Sequence, residues 1–166
     1  MADSADHPIA FTRLPHPALV PDAAREQAIA DPGFGKVFTD HILPLAWDEG
    51  RGWHDATLGP RGPLTLDPAC AVLHYAQEIF EGLKAYRLAD GAMALFRPEQ
   101  NAGRFNRSAD RMAMPNLPED TFVEAIRRLV LADQAWFPGV EGGSLYIRPF
   151  MIATETFLGV RPARQY

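Results

Sequence analysis

The chain has 166 residues, an apolar fraction of 47% and a formal net charge of −5. That length fits one domain and a core of ordinary size, or one domain and a long arm. The acidic balance, with no basic run, excludes nucleic acid as a main partner, and no apolar stretch approaches the ~18 residues needed to span a bilayer. The first residues, MADSADHPIAF, carry acid where a secretory signal needs base and lack an apolar segment, so a cytoplasmic home is expected. The single cysteine, Cys70, agrees with a reducing compartment and reads as a small packing residue rather than a nucleophile.

Residues 1–35 are rich in Pro, Ala and Asp without a sustained period. They read as an arm lying on the surface or on another subunit. KVFTDHILPLAWD (Lys36–Asp48) places Val, Phe, Ile and Leu in near-alternation and reads as a strand, with Pro44 marking an edge or a bulge. EGRGWH opens with turn chemistry, and GWHDATLGP continues as a second short strand. Gly59–Pro68 is a loop by its Gly and Pro content. FEGLKAYR and AMALF flank LADG (Leu88–Gly91), a hairpin signal. Pro98 stands where a first helical turn would start. Phe105, Ala109 and Met112 then mark one helix face, ending near Pro115, with Arg104, Arg107 and Arg111 on the opposite side. A second helix is predicted from about Glu119 to Trp136, with an apolar stripe through Phe122, Ile126, Leu129 and Val130 and with Asp120 in its first turn. Pro138 and Gly139 stop it. SLYIRPFMIATE (Ser144–Glu155) reads as one strand. The order of strands, hairpin, two helices and strand favours α+β, an antiparallel sheet with two helices packed on one side.

Few residues suggest chemistry by themselves. Arg104 offers paired planar donors suited to a phosphate ester, or belongs to a solvated basic face; Arg97 and Arg107 are its neighbours in the same role. Phe80 reads as core or as pocket wall, and Gly82 permits close backbone approach. Tyr75 has an apolar ring with a polar tip. His74 beside it reads as a structural hydrogen-bonding group or as a general base. Tyr146 and Arg148 stand two apart on the expected strand and share a face. An arginine on an apolar strand calls for an anion, either a structural carboxylate or a substrate. No phosphate-binding glycine motif is present, since GVEGGS (139–144) precedes a strand rather than a helix. The five histidines lack metal-ligand spacing.

HYAQEIFEGLKAYR (74–87), FRPEQNAGRFNRS (96–108) and SLYIRPF (144–150), with PGFGKVFTDHI before them, resemble the front half of branched-chain amino acid aminotransferases. These are fold type IV enzymes dependent on pyridoxal 5'-phosphate (PLP). The resemblance covers roughly Gly33 to the C-terminus and implies the small domain of that fold, residues 36–166, running into the interdomain linker. It implies that Arg104 binds the PLP phosphate and that Tyr75 and Phe80 wall the pocket for the branched side chain. Tyr146 and Arg148 would help accept the side-chain carboxylate of glutamate or 2-oxoglutarate. Leu158 and Val160 would lie on a loop reaching into the partner subunit of a homodimer. The reaction implied is amino transfer between leucine, isoleucine or valine and 2-oxoglutarate. Neither Lys36 nor Lys84 sits where the family keeps its Schiff-base lysine. That residue is expected beyond residue 166, on a larger PLP-binding domain, and these residues alone are expected to be inactive. A standalone binding or dimerisation module is the alternative.

Overall fold

The computed structural model describes residues 9–139 and 142–166; the first eight residues of the expected arm, and Val140 and Glu141 within the glycine cluster, lie outside them. Fifteen short elements are seen among the described residues. The fold is α+β, as the pattern of elements implies, with its strands divided among four small sheets.

Within residues 9–35, β1 (Phe11–Arg13) and α1 (Asp22–Ala30) form, and no residue of α1 is buried. β1 pairs in parallel with β5 (Ala56–Pro60), which also holds β2 (His41–Ile42) antiparallel. The strand expected over Lys36–Asp48 is therefore shorter and broken. It comprises β2 and β3 (Ala46–Asp48) with Leu43–Leu45 between them, because Pro44 has no N–H to continue a ladder. β3 makes a hairpin with β4 (Gly52–His54), and Asp55 at φ +54° separates β4 from β5.

A five-residue helix, α2 (Ala71–Tyr75), precedes the central strands β6 (Glu78–Phe80) and β7 (Leu83–Arg87). The predicted hairpin is present. β7 pairs with β8 (Met93–Leu95) around Leu88–Gly91, where Gly91 takes φ +84°. α3 (Pro98–Arg111) has proline at its first position, and Phe105 and Ala109 are buried on its inner face. α4 (Glu119–Ala132) starts with Glu119 and Asp120, which complement the helix dipole, and buries Phe122, Ile126 and Val130. It stops four residues short of the predicted Trp136; residues Gln134–Trp136 form a 3₁₀ turn that buries the indole.

A further correction concerns Ser144–Glu155, expected as one strand. It forms two strands, β9 (Ser144–Ile147) and β10 (Phe150–Ile152), in different sheets. β9 pairs with β7 and β10 with β6, so both chain runs change sheets at one level, at Glu81–Gly82 and at Arg148–Pro149. Pro149 cannot donate to a ladder, but its carbonyl accepts from Glu81 N at 2.8 Å. Along this seam the side chains still alternate. Ile79, Leu83, Ala85, Ile147 and Met151 point into the core with Phe105, Phe122 and Ile126, while Phe80, Lys84, Tyr146, Arg148 and Phe150 are exposed.

Candidate functional site

The exposed side of the seam gathers three of the residues expected to meet substrate. Arg148 lies just past the end of β9 rather than within a strand, and it is exposed rather than buried. It nevertheless meets Tyr146, donating to the phenol oxygen from Nη2 at 2.8 Å and from Nε at 3.3 Å. Its guanidinium stacks on the Phe80 ring at 4.5 Å from the centroid. Phe34 packs edge-on against Tyr146 at 5.3 Å. The arrangement leaves a cation held between an aromatic ring and a phenol, its other donors without a hydrogen-bond partner among the described residues.

Gly82 explains how the phenol fits. A Cβ built there would overlap Tyr146 Oη and stand 3.0 Å from its Cζ. The tyrosine tip therefore lies directly on the glycine backbone, the close approach that the FEG triplet permits.

Next to this contact Arg104 pairs with Glu81, an acid for which the sequence suggested no role. Glu81 is 4% exposed at its side chain. Its Oε2 accepts from Arg104 Nη2 at 2.7 Å, from Asn101 Nδ2 at 3.0 Å and from Gly82 N at 3.3 Å; its Oε1 accepts from Arg104 Nε at 2.5 Å. Burial pushes the Glu81 carboxyl up, but the hydrogen bonds from Arg104 and Asn101 and the arginine charge outweigh it. The group titrates below the ordinary glutamate range. The Arg104 guanidinium is correspondingly raised by that hydrogen bond. The signal in the sequence was an acid midway between the inward-facing Ile79 and Leu83, a position that requires a partner. Only the fold supplies that partner, from 23 residues away.

The remaining residues singled out in the sequence lie outside this cluster. Tyr75 closes α2 and faces Phe157, with ring centroids 6.2 Å apart; Arg161 stacks on Phe157 at 4.0 Å. Leu158 and Val160 follow on the same segment, and Val160 is almost wholly exposed. His74 donates from Nε2 to the Pro68 carbonyl at 2.8 Å. Cys70 is fully buried, with its thiol on the Ala153 carbonyl. Arg97 occupies the left-handed N-cap of α3 with φ +50°. A cavity of about 430 Å³ is lined mainly by apolar side chains, including Ile42, Trp53, Phe122 and Ile126. Of the expected site residues only Arg148 borders it, so it belongs to the core side of the seam. Among the described residues no helix is long and apolar enough to cross a membrane.

No family model matches the chain. Over 146 residues it is 60% identical to a probable branched-chain-amino-acid aminotransferase of Streptomyces coelicolor, a stretch that is 87% of this chain and 40% of that protein. It is 52% identical over 160 residues to the branched-chain-amino-acid aminotransferase of Mycolicibacterium smegmatis, covering 96% of this chain and 44% of the relative. Among solved structures, the T.th. branched-chain amino acid aminotransferase complexed with N-(5'-phosphopyridoxyl)-L-glutamate superposes with a TM-score of 0.52 at 28% identity. That match covers 71% of this chain and 35% of the other. The Escherichia coli enzyme of the same name, at 22% identity and a TM-score of 0.53, shares the fold over 75% of this chain and 39% of its own. The chain thus spans about two fifths of the length of the curated relatives it matches, and the resemblance read from its motifs is borne out.

Proposed function

We propose that this chain, homologous along most of its length to part of the branched-chain aminotransferases, forms the small domain of a PLP-dependent enzyme. The enzyme would transfer the amino group between leucine, isoleucine or valine and 2-oxoglutarate, as a cytoplasmic homodimer. The observation that carries this reading is the constellation of Phe80, Tyr146 and Arg148 on the exposed side of the seam. Such a site faces two demands. It must accept an aliphatic side chain in one half-reaction and a carboxylate in the other. An aromatic wall answers the first. An arginine at its rim, oriented by a phenol, answers the second through charge-assisted hydrogen bonds.

PLP, when bound, supplies the electron sink for the carbon chemistry. The residue suited to hold its phosphate is Arg104. A guanidinium has five N–H donors, and Glu81 takes one from Nε and one from Nη2. The outward edge has no hydrogen-bond partner among the described residues, and the side chain is 59% exposed. That edge presents two parallel donors, the geometry a phosphate accepts. Tyr75 is assigned to the aliphatic side of the pocket, and the Leu158–Val160 segment to contact with the partner subunit, because it projects exposed apolar residues.

In the full-length protein, Arg148→Ala is expected to slow the glutamate half-reaction far more than the leucine half-reaction. The difference should be about 2–4 kcal/mol, the scale for removing one partner of a desolvated charge pair. Pre-steady-state rates of the two half-reactions measure it. Equal losses in both would reject the assignment and leave Arg148 a structural residue.

A further inference from the structure

We infer that Glu81 is a positioning residue for the phosphate anchor: it fixes the Arg104 guanidinium edge-on so that the outward fork is aimed before any phosphate arrives. The inference rests on the reading of Arg104 given above and deepens it.

Three observations support it. First, the carboxylate is almost wholly buried while its partner is more than half exposed. An ion pair of that kind is not a surface accident of two mobile side chains. One member is rigid and holds the other. Second, the contact is two-pronged, using Nε and Nη2 of the guanidinium. That pairing fixes the plane of the fork as well as its place, since both bonds must lie in that plane. Third, the carboxylate is itself held. Asn101 Nδ2, one turn before Arg104 on α3, donates to it, and so does Gly82 N. Asn101 also donates to the Gly82 carbonyl at 3.3 Å. The same short segment that receives Tyr146 therefore fixes the arginine through Glu81.

A carboxylate beside a cation also reduces that cation's attraction for an anion. Two effects then oppose each other at Arg104, orientation and partial neutralisation. The two-pronged geometry and the burial of the acid favour orientation as the larger. A free arginine on an exposed helix face would have to give up rotamer freedom on binding, and this one has already lost it.

The test compares affinities of the full-length protein for PLP and for pyridoxal, which lacks the phosphate, by fluorescence titration. The ratio of the two dissociation constants isolates the phosphate contact from the rest of the site. Glu81→Gln and Glu81→Ala are expected to reduce the preference for PLP by about tenfold, the effect of losing roughly 1.4 kcal/mol. Arg104→Ala is expected to reduce it more. In the Glu81→Ala/Arg104→Ala double variant, the loss should be no greater than in Arg104→Ala alone, because the acid acts through the arginine. Glu81→Asp keeps the charge and gives a variant for the case in which Glu81→Ala fails to fold; it should fall between wild type and Glu81→Gln. An unchanged preference for PLP in both Glu81→Gln and Glu81→Asp would overturn the inference, as would a preference that grows. Losses that add fully in the double variant would overturn it too. If wild type itself shows no preference for PLP over pyridoxal, or Arg104→Ala leaves it intact, the assignment of Arg104 fails and this inference with it.

Discussion

The FEG triplet assigns three different tasks to adjacent residues. Phe80 faces outward beneath Arg148, Glu81 turns inward to Arg104, and Gly82 makes room for the Tyr146 phenol. Gly82→Ala tests the third task. The clash falls on the far end of a partly exposed side chain, so the tyrosine can swing away at small cost. Stability should change by less than ~1 kcal/mol, below the usual range for overpacking a closed core. The Arg148 contact should be lost with the tyrosine. In the full-length protein, the glutamate half-reaction should then suffer while the melting temperature barely moves. A large drop in melting temperature would place Gly82 in the core instead. At this scale the sequence was partly legible. The two-residue spacing of Tyr146 and Arg148 was enough to expect them together, and they meet, but Glu81 was opaque because a carboxylate's partner cannot be found without the fold.

Helices α3 and α4 hold the inner side of the seam. Phe105 and Phe122 pack with centroids 5.4 Å apart, both buried. Phe122→Ala should cost about 3–5 kcal/mol, the range for truncating a buried aromatic. Urea denaturation measures it, and a cost below ~1 kcal/mol would mean that the site collapses around the gap. These helices were legible because their apolar stripes recur at helical spacing. The shorter elements were not. α2 is five residues long with no side-chain cap. It is held by backbone bonds from Ala71 N to the Glu155 carbonyl and from Val72 N to the Ala153 carbonyl, long-range contacts with no local signature. The break at Pro149 could have been read, since a proline inside an apolar run demotes a strand. The β-branched and aromatic residues on both sides masked it. Trp136 likewise belongs to the core without belonging to α4. It is pinned by its indole N–H to Asp40 Oδ2 at 2.8 Å, a partner that helical spacing cannot reveal.

Across the whole molecule, acid groups couple stability to pH. Glu124 is lowered to about 2, chiefly by its hydrogen bond to Arg127, with Arg128 assisting against partial burial. Glu155 is lowered by Arg161, and Asp48 by Gln165 and His54. Glu81 is lowered by Arg104 and Asn101 despite its burial. Each carboxyl binds its proton less readily folded than unfolded. Each therefore adds stability that is fully present above its unfolded value, about 4.5 for the glutamates and 3.8 for the aspartate. That stability is lost as pH falls through the lowered folded values. Urea midpoints should hold near neutrality and decline below about pH 4.5. Glu81→Gln, which removes the most buried of these groups, should make that decline shallower. An equally steep decline would show that Glu81 does not contribute to it.

Arg148 invites a thermodynamic reading. Its long side chain is held by the Tyr146 phenol and the Phe80 ring before any ligand arrives. The conformational entropy of that side chain, about 0.5–1.5 kcal/mol for an immobilised rotamer-rich group, is therefore surrendered during folding rather than during association. The ring also strips water from one guanidinium face in advance. Under the proposed role, a carboxylate arriving there would meet a donor set that needs little reordering, and the cost would appear instead as a slightly smaller margin of stability in the unliganded protein.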